Sequence, residues 1–417
     1  MAAIFPFKAY LPANNLEEQV VSKPFDKYTL QEVEQIVKAN PRSFLNVIKP
    51  DLAAGVHRNP TDPAGLQRSR EQFLQFAHEN ILERQEKPAF YIYRQEKPDF
   101  TYTGIIATIA SADYRNDTIR IHEQTLALKE EKLKDYLQVV GINAEPVMFT
   151  YPHTAEIDEL MNRLTAAPPK ADFIADGKRQ MLWLVDKSED IRQIQTAFEQ
   201  VNHVYVADGH HRSASSVLLS EELAHKHPQA SKDAPWRSFM GVFFPDHNLQ
   251  LFAFNRLLKD TGGLSKNQIL EKLSLRFHVE EHLSNAVEPQ KKQEFSIFID
   301  NCWYLLSFKE EPPAAAQQLD ADLLNAYILA PVFNIHDLRN DHRIDFVPGL
   351  KGPDALCKKV QSGKAAIAFG LYPVSFEQFF AFSDQGRMMP PKSTWFEPKL
   401  LNGLVVYDLE IPEDDRR

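Results

Sequence analysis

Residues 204–227 read VYVADGHHRSASSVLLSEELAHKH. Four apolar, β-prone residues, Val204 to Ala207, run straight into Asp208-Gly209, and the segment beyond Ser213 switches to helical spacing at Val217, Leu218 and Leu223. The pattern predicts a strand, a tight turn and a helix. Asp208, Gly209, His210, His211 and Arg212 then crowd a helix start, where unpaired N–H groups and the helix dipole favour an anion. Gly209 permits positive φ or a close backbone approach, and Arg212 offers a bidentate grip on phosphate or carboxylate. Asp208 can orient a histidine or hold Mg²⁺, while His210 or His211 can donate to a phosphate or move a proton. The plainer reading is a helix capped by Asp208 and Ser213 with solvated histidines. Five polar groups in one turn after a buried strand favour chemistry, with Ser213 beside them. Adjacent histidines lack the one-face spacing of a helical metal pair, so zinc is the weaker reading.

Working outward, the elements alternate. Thr29-Leu30-Gln31-Glu32 is a capping box, and Leu30, Val33, Ile36 and Val37 share a helical face that stops at Asn40-Pro41. A second helix is predicted over about 66–84, with Leu74, Ala77 and Ile81 along its stripe. AFYIYR and TYTGIIATIAS read as a hairpin turning between Gln95 and Asp99. KEEKLKDYLQVV predicts a helix, PVMFTY a strand and AEIDELMNRLTA a helix, before the Pro168-Pro169 break. That break is the expected boundary between an N-terminal α/β region, 1–167, and a core with C-terminal extension, 168–417. Beyond it, MLWLVD, SFMGVFFP, QLFAF, EFSIFID, CWYLLSF and KAAIAFGLY read as strands, with helices near 265–274, 317–329 and 375–383. Several adjacent strands lack helical crossovers, so the fold class is α/β (α+β) with mixed sheets.

At 417 residues and 43% hydrophobic, the chain buries a full core and has room for two domains. Two cysteines, Cys302 and Cys357, make no disulfide scaffold and no paired metal spacing, which points to a reducing, cytoplasmic setting. No export signal and no apolar run of membrane-spanning length is visible. The formal charge of −10 carries no long basic tract, which argues against a nucleic-acid partner without excluding a local anion site. The tail EIPEDDRR reads as a solvated end.

Two further constellations matter. RIHEQTLALKEEKL places Arg120, His122, Glu123 and Thr125 at a strand end before a helix, and alternation puts Arg120 and His122 on one side if the strand persists. Glu123 is the candidate general base. MMPPKSTWFEPK sets Lys392, Ser393 and Thr394 in a proline-stiffened loop, with Lys399 following, as a candidate phosphate clamp. It is no Walker loop, because the glycines are missing. Trp395 and Phe396 read mainly as packing. Asp341, Arg343 and Asp345 form either a polar strand face or an ion-pair network. His225 and His227 read as helix-end residues, and Phe376, Phe379, Phe380 and Phe382 as core.

PFKAYLP, NPRSFLNVIKP, RIHEQTLALKEEKL, VYVADGHHRSAS, DHRIDFVPG and DQGRMMPPKSTWFEPKLLNGLV span nearly the full length. Together they resemble the bacterial domain of unknown function 1015 family, also described as SpoOJ/ParA/ParB/RepB-like. The Gly209-x-x-Arg212 turn is similar to the nucleotide-phosphate turn of the ParB/sulfiredoxin-like fold. Sulfiredoxins use a cysteine where the resemblance places His210, and ParB proteins usually carry Glu and Arg at His210 and His211 with an added DNA-binding domain. The free-serine kinase branch resembles this chain more closely, with Asp-Gly-His before an arginine and a glutamate from outside the turn. The resemblance implies a nucleotide, ATP or ADP with Mg²⁺, and phosphoryl transfer to a small molecule. The alternatives are a ParB-like nucleotide- or DNA-responsive module and a metabolite-binding protein without turnover. Glu123, Asp208–Arg212 and Lys392–Thr394 are expected to meet at one cleft.

Overall fold

The run from Val204 to Ala207 is buried throughout and lies second from one edge of a nine-stranded mixed sheet. The structure, a computed structural model, describes residues 1–56, 62–282, 286–312, 318–338 and 340–416. Two compact units arise from the chain: Met1–Leu249 with Pro398–Arg417, and Gln250–Glu397. Pro168-Pro169 falls inside the first unit, joining a helix to a strand of the same sheet.

The large sheet uses β1 (Ile4–Phe5), β2 (Phe90–Lys97), β3 (Phe100–Ala110), β4 (Ile119–Arg120), β5 (Val147–Tyr151), β6 (Ala171–Ala175), β7 (Lys178–Val185), β8 (Val204–Asp208) and β9 (Ser238–Pro245). Its order is β4-β8-β5-β9-β3-β2-β7-β6, with β1 pairing β3. β5 and β9 run parallel, whereas β8 runs antiparallel to β5 with Asp208 opposite Met148. Asp208 therefore closes β8 at the sheet end where β5 begins, and the residues after β5 and β9 emerge at the opposite end. The expected hairpin is β2–β3, turning at Pro98-Asp99 with Lys97 opposite Phe100.

The helices of this unit include α1 (Leu30–Ala39), α2 (Pro63–His78), α3 (Ala127–Val140), α4 (Ala155–Thr165), α5 (Ser188–Phe198) and α6 (His210–Lys226). Thr29 and Glu32 form the expected reciprocal cap of α1, and Val33 and Val37 are its buried residues. In α2 the buried face is Leu66, Ser69, Arg70, Phe73 and Phe76, while Leu74 is 47% exposed. The expected stripe is thus rotated: two phenylalanines bury more carbon than Leu74 and Ala77, and they set the helix's roll. Ile157, Leu160 and Met161 of α4 and Ile194, Ala197 and Phe198 of α5 pack with Phe149 and Phe243 into the main core.

A small sheet of Leu82–Arg84, Ala9–Pro12, Val406–Asp408 and Ile142–Asn143 ties the C-terminal segment to the first unit. The tail is correspondingly docked, correcting its reading as a solvated end. Asp415 binds His227 beyond the end of α6, its carbonyl accepts from Gln138 at 2.7 Å, and the Arg416 side chain is 6% exposed. In the second unit, Gln250–Leu258, Phe277–His282, Glu294–Ile299, Cys302–Phe308, Ile344–Pro348, Ile367–Leu371 and Thr394–Glu397 form a seven-stranded sheet. The helix expected near 317–329 begins at Asp320 and carries a π turn over Asn325–Leu329; residue 317 lies outside the described residues. Among the described residues, no helix is long and apolar enough to cross a membrane.

Candidate functional site

Gly209 adopts φ +105°, and α6 starts from it with no side-chain cap on its first N–H groups. A side chain at this position is strained by the backbone alone. It also lacks room: a Cβ on Gly209 meets the Arg212 guanidinium at 2.9–3.1 Å. The glycine thus lets α6 begin immediately after β8 and lets Arg212 fold back over the turn. Arg212 is fixed there by its Nη1, which donates to the Pro146 carbonyl at 2.9 Å and pairs with Glu145 Oε1 at 2.6 Å. Its Nη2 stands 3.9 Å from Asp208 Oδ2.

Lys399, 191 residues away in sequence, brings its ammonium to Asp208 Oδ2 at 3.0 Å. Burial alone raises the Asp208 carboxyl, but the cations Lys399 and Arg212 outweigh it and hold the group well below the usual carboxylate range. The Asp208 side chain nevertheless remains 43% exposed, so its carboxylate is both flanked by cations and reachable. Glu145 shows the opposite balance, since burial lifts its carboxyl above the ordinary value despite Arg212.

His210 is 6% exposed, and its ring meets that of His122 edge to face with centroids 4.4 Å apart. The His122 N–H points at His210 Nε2 across 3.5 Å, which assigns that nitrogen as the acceptor. Desolvation depresses both histidines, His210 to about 4, so His210 is a neutral imidazole at pH 7. Glu123 joins them: ligand atoms of His122, Glu123 and His210 all lie within 4.8 Å of one another. This trio, and not the adjacent pair His210-His211, is the arrangement with metal-ligand spacing here. His211 is only partly buried and follows directly in the first turn of α6.

The sequence-predicted residues fall on both units. Asp208, Gly209, His210, His211, Arg212 and Glu123 gather at one sheet end. Ser213 is fully buried, and its hydroxyl donates to the Gly209 carbonyl at 3.2 Å, so it faces its own helix. β4 ends at Arg120, which pairs with Asp117 at 3.3 Å, so strand alternation does not orient His122. Lys392, Ser393 and Thr394 belong to the second unit. There the buried Arg256 donates to the Lys392 carbonyl at 2.9 Å, the Lys392 ammonium lies 5.4 Å over the Phe254 ring, and Ser393 donates to Pro390 O at 2.8 Å. Trp395 packs edge-on against Phe254 at 5.5 Å, as expected. Arg343 makes two bonds to Asp341, at 3.0 and 2.6 Å, and reaches the Phe333 carbonyl, which favours the ion-pair reading. Glu145 had no signal beyond charge beside proline, and Lys399 read as part of the Lys392 loop, with nothing local to pair it with Asp208.

Asp208 offers a carboxylate to a cation through Oδ1, since Oδ2 is engaged by Lys399. Arg212 and the first amides of α6 offer donors to an anion, and Glu123 can take a proton, whereas the acceptor nitrogen of His210 faces the His122 backbone N–H. Together these features define a mixed α/β protein with a polar site built on a strand-to-helix turn. The chain belongs to the family described as "Protein of unknown function (DUF1015)", which matches residues 4–323. No curated protein matches it. Among solved structures, free serine kinase in complex with AMP is similar at 13% identity and a TM-score of 0.35, over 71% of this chain and 88% of that one. A conserved hypothetical protein from Pyrococcus furiosus is similar at 14% identity and a TM-score of 0.35, over 73% and 96%. SbnI with C-terminal truncation from Staphylococcus aureus is similar at 11% identity and a TM-score of 0.37, over 75% and 92%.

Proposed function

We propose that the Gly209–Arg212 turn holds the phosphates of a nucleotide, ATP or ADP with Mg²⁺, and that the protein transfers a phosphoryl group to a small-molecule hydroxyl. The observation that carries the reading is the fold-back of Arg212 over a positive-φ glycine at the mouth of an uncapped 17-residue helix. Directional amide donors, the helix dipole and a guanidinium then converge on one point, the arrangement that stabilises phosphate charge as it redistributes. Asp208 would hold Mg²⁺ through Oδ1, and the ion would neutralise phosphate charge there.

This chain's residues supply the rest. The bond from the terminal phosphorus to the leaving oxygen breaks, releasing ADP from ATP or AMP from ADP, as the acceptor oxygen bonds to phosphorus, and the hydroxyl proton passes to Glu123. Lys399 keeps Asp208 ionised and oriented.

Calorimetric titration of the full chain with ATP and ADP, each with Mg²⁺, tests the site. Hydrogen bonds to a charged partner contribute about 1.5–3 kcal/mol, so Arg212→Gln should weaken binding by roughly tenfold to a hundredfold. Absence of binding by the wild type, or equal binding by both proteins, refutes the phosphate site. Transfer itself is read as ADP formed from ATP, or AMP from ADP, in the presence of candidate acceptors, and Glu123→Gln should slow it more than it weakens nucleotide binding.

A further inference from the structure

Next to Arg212 the first unit contains a cavity of about 560 Å³, within the range of small-molecule sites. Its wall is mostly hydrocarbon, from side chains such as Phe25, Leu30, Ile48, Leu66, Leu133 and Met240. Leu30 is 53% exposed and Val56 40%, so solvent reaches apolar carbon that a ligand would cover.

Several polar groups interrupt this wall; Asp51 among them is bound by Arg68 at 2.6 and 2.7 Å, and three others bear on what the cavity holds. Arg212 and Glu145 enter as an ion pair. Lys49 sits with its ammonium 5.1 Å over the Phe25 ring, burial lowers its pKa, and among the described residues no carboxylate shifts it back up. Asn402 is 3% exposed, and among the described residues its side-chain carbonyl has no hydrogen-bond partner. A buried amide oxygen without a hydrogen bond has lost its water partner, and a half-buried ammonium with no carboxylate beside it is partly desolvated. An acidic group on a ligand supplies the partner that the Lys49 ammonium lacks.

We propose that this cavity seats the apolar body of an amphipathic organic acid, the acceptor for the Asp208–Arg212 turn, with its acidic group facing Lys49. The acceptor role rests on the phosphate-site reading; the ligand class rests on the cavity. A purine is a poorer occupant. Its polar edge needs a row of partners, whereas Asn143 Oδ1 is already engaged by the Met240 N–H at 3.0 Å and most of the wall offers carbon.

The test uses decanoate and decan-1-ol, which share a chain and differ in charge, with ADP and Mg²⁺ titrated separately. Wild-type protein should bind decanoate at least about tenfold more tightly than decan-1-ol, the difference made by a charge-assisted contact. Lys49→Gln should bring the two affinities together without changing ADP binding. Leu133→Trp should abolish decanoate binding, again with ADP unaffected. Failure of wild type to bind decanoate, or equal binding of the acid and the alcohol, overturns the proposal, and this comparison needs no variant. Loss of ADP binding in a folded Leu133→Trp protein also overturns it, because the cavity then holds the nucleoside. Protein that takes decanoate but not ADP refutes the phosphate site and leaves the ligand class standing. Protein that takes ADP but not decanoate does the reverse.

Discussion

At one end of the nine-stranded sheet, His122 and His210 meet edge to face with ring centroids 4.4 Å apart; at the other, beyond β5 and β9, His153 and His247 meet at 4.9 Å and 89°. The ring geometries are nearly alike, but the surroundings are not. His153 and His247 have side chains 57% and 45% exposed, and His153 Nδ1 lies 2.8 Å from Asp246 Oδ1. His122 and His210 are 3% and 6% exposed, and desolvation keeps them neutral. A pair of histidines is therefore no signature by itself. Burial at the uncapped helix start, beside Asp208 and Arg212, is what makes one end a candidate site, because charge is costly to change in a low dielectric.

Acidification should separate the two ends most strongly. The folded-state value of His210, about 4, lies below the ordinary 6.5, so the unfolded chain takes up the proton first. Its neutral form is fully compatible with folding above about pH 6.5, and stability then falls as pH descends to about 4, by about 3 kcal/mol. Chemical denaturation at a series of pH values should show this slope, reduced in His210→Asn and retained in His153→Asn. An unchanged slope in His210→Asn breaks the contrast.

Gly209→Ala comes next. A methyl group at φ +105° strains the backbone and meets the Arg212 guanidinium, so a loss of about 1–3 kcal/mol is expected, together with displacement of Arg212. Denaturation midpoints measure the first effect. Nucleotide titration measures the second, with binding weakened at least as far as in Arg212→Gln.

The smallest effect belongs to the exposed end. His153→Asn removes a solvent-exposed contact to Asp246 and should change stability by less than about 0.5 kcal/mol, with nucleotide binding unaltered. A loss comparable to that of Gly209→Ala would show that the two ends of the sheet are coupled.

Local sequence fixes local structure where short-range physics is sufficient. The Thr29–Glu32 cap, the β2–β3 hairpin and the β8–α6 turn were legible because apolar period, turn residues and a single glycine each act within a few residues. The roll of α2 was not, since Leu66, Phe73 and Phe76 win over Leu74 only by the area each buries against its neighbours.

The candidate site divides in the same way. Sequence alone determined that Asp208, Gly209, His210, His211 and Arg212 would crowd a helix mouth, because a β-prone run, a glycine and a helical period impose that turn wherever it lies. Tertiary structure alone decided that Lys399 meets Asp208, that Glu145 meets Arg212, and that His122 with Glu123 closes on His210. Those contacts join residues far apart in the chain, and only the order of strands in the sheet and the docking of the C-terminal segment bring them together.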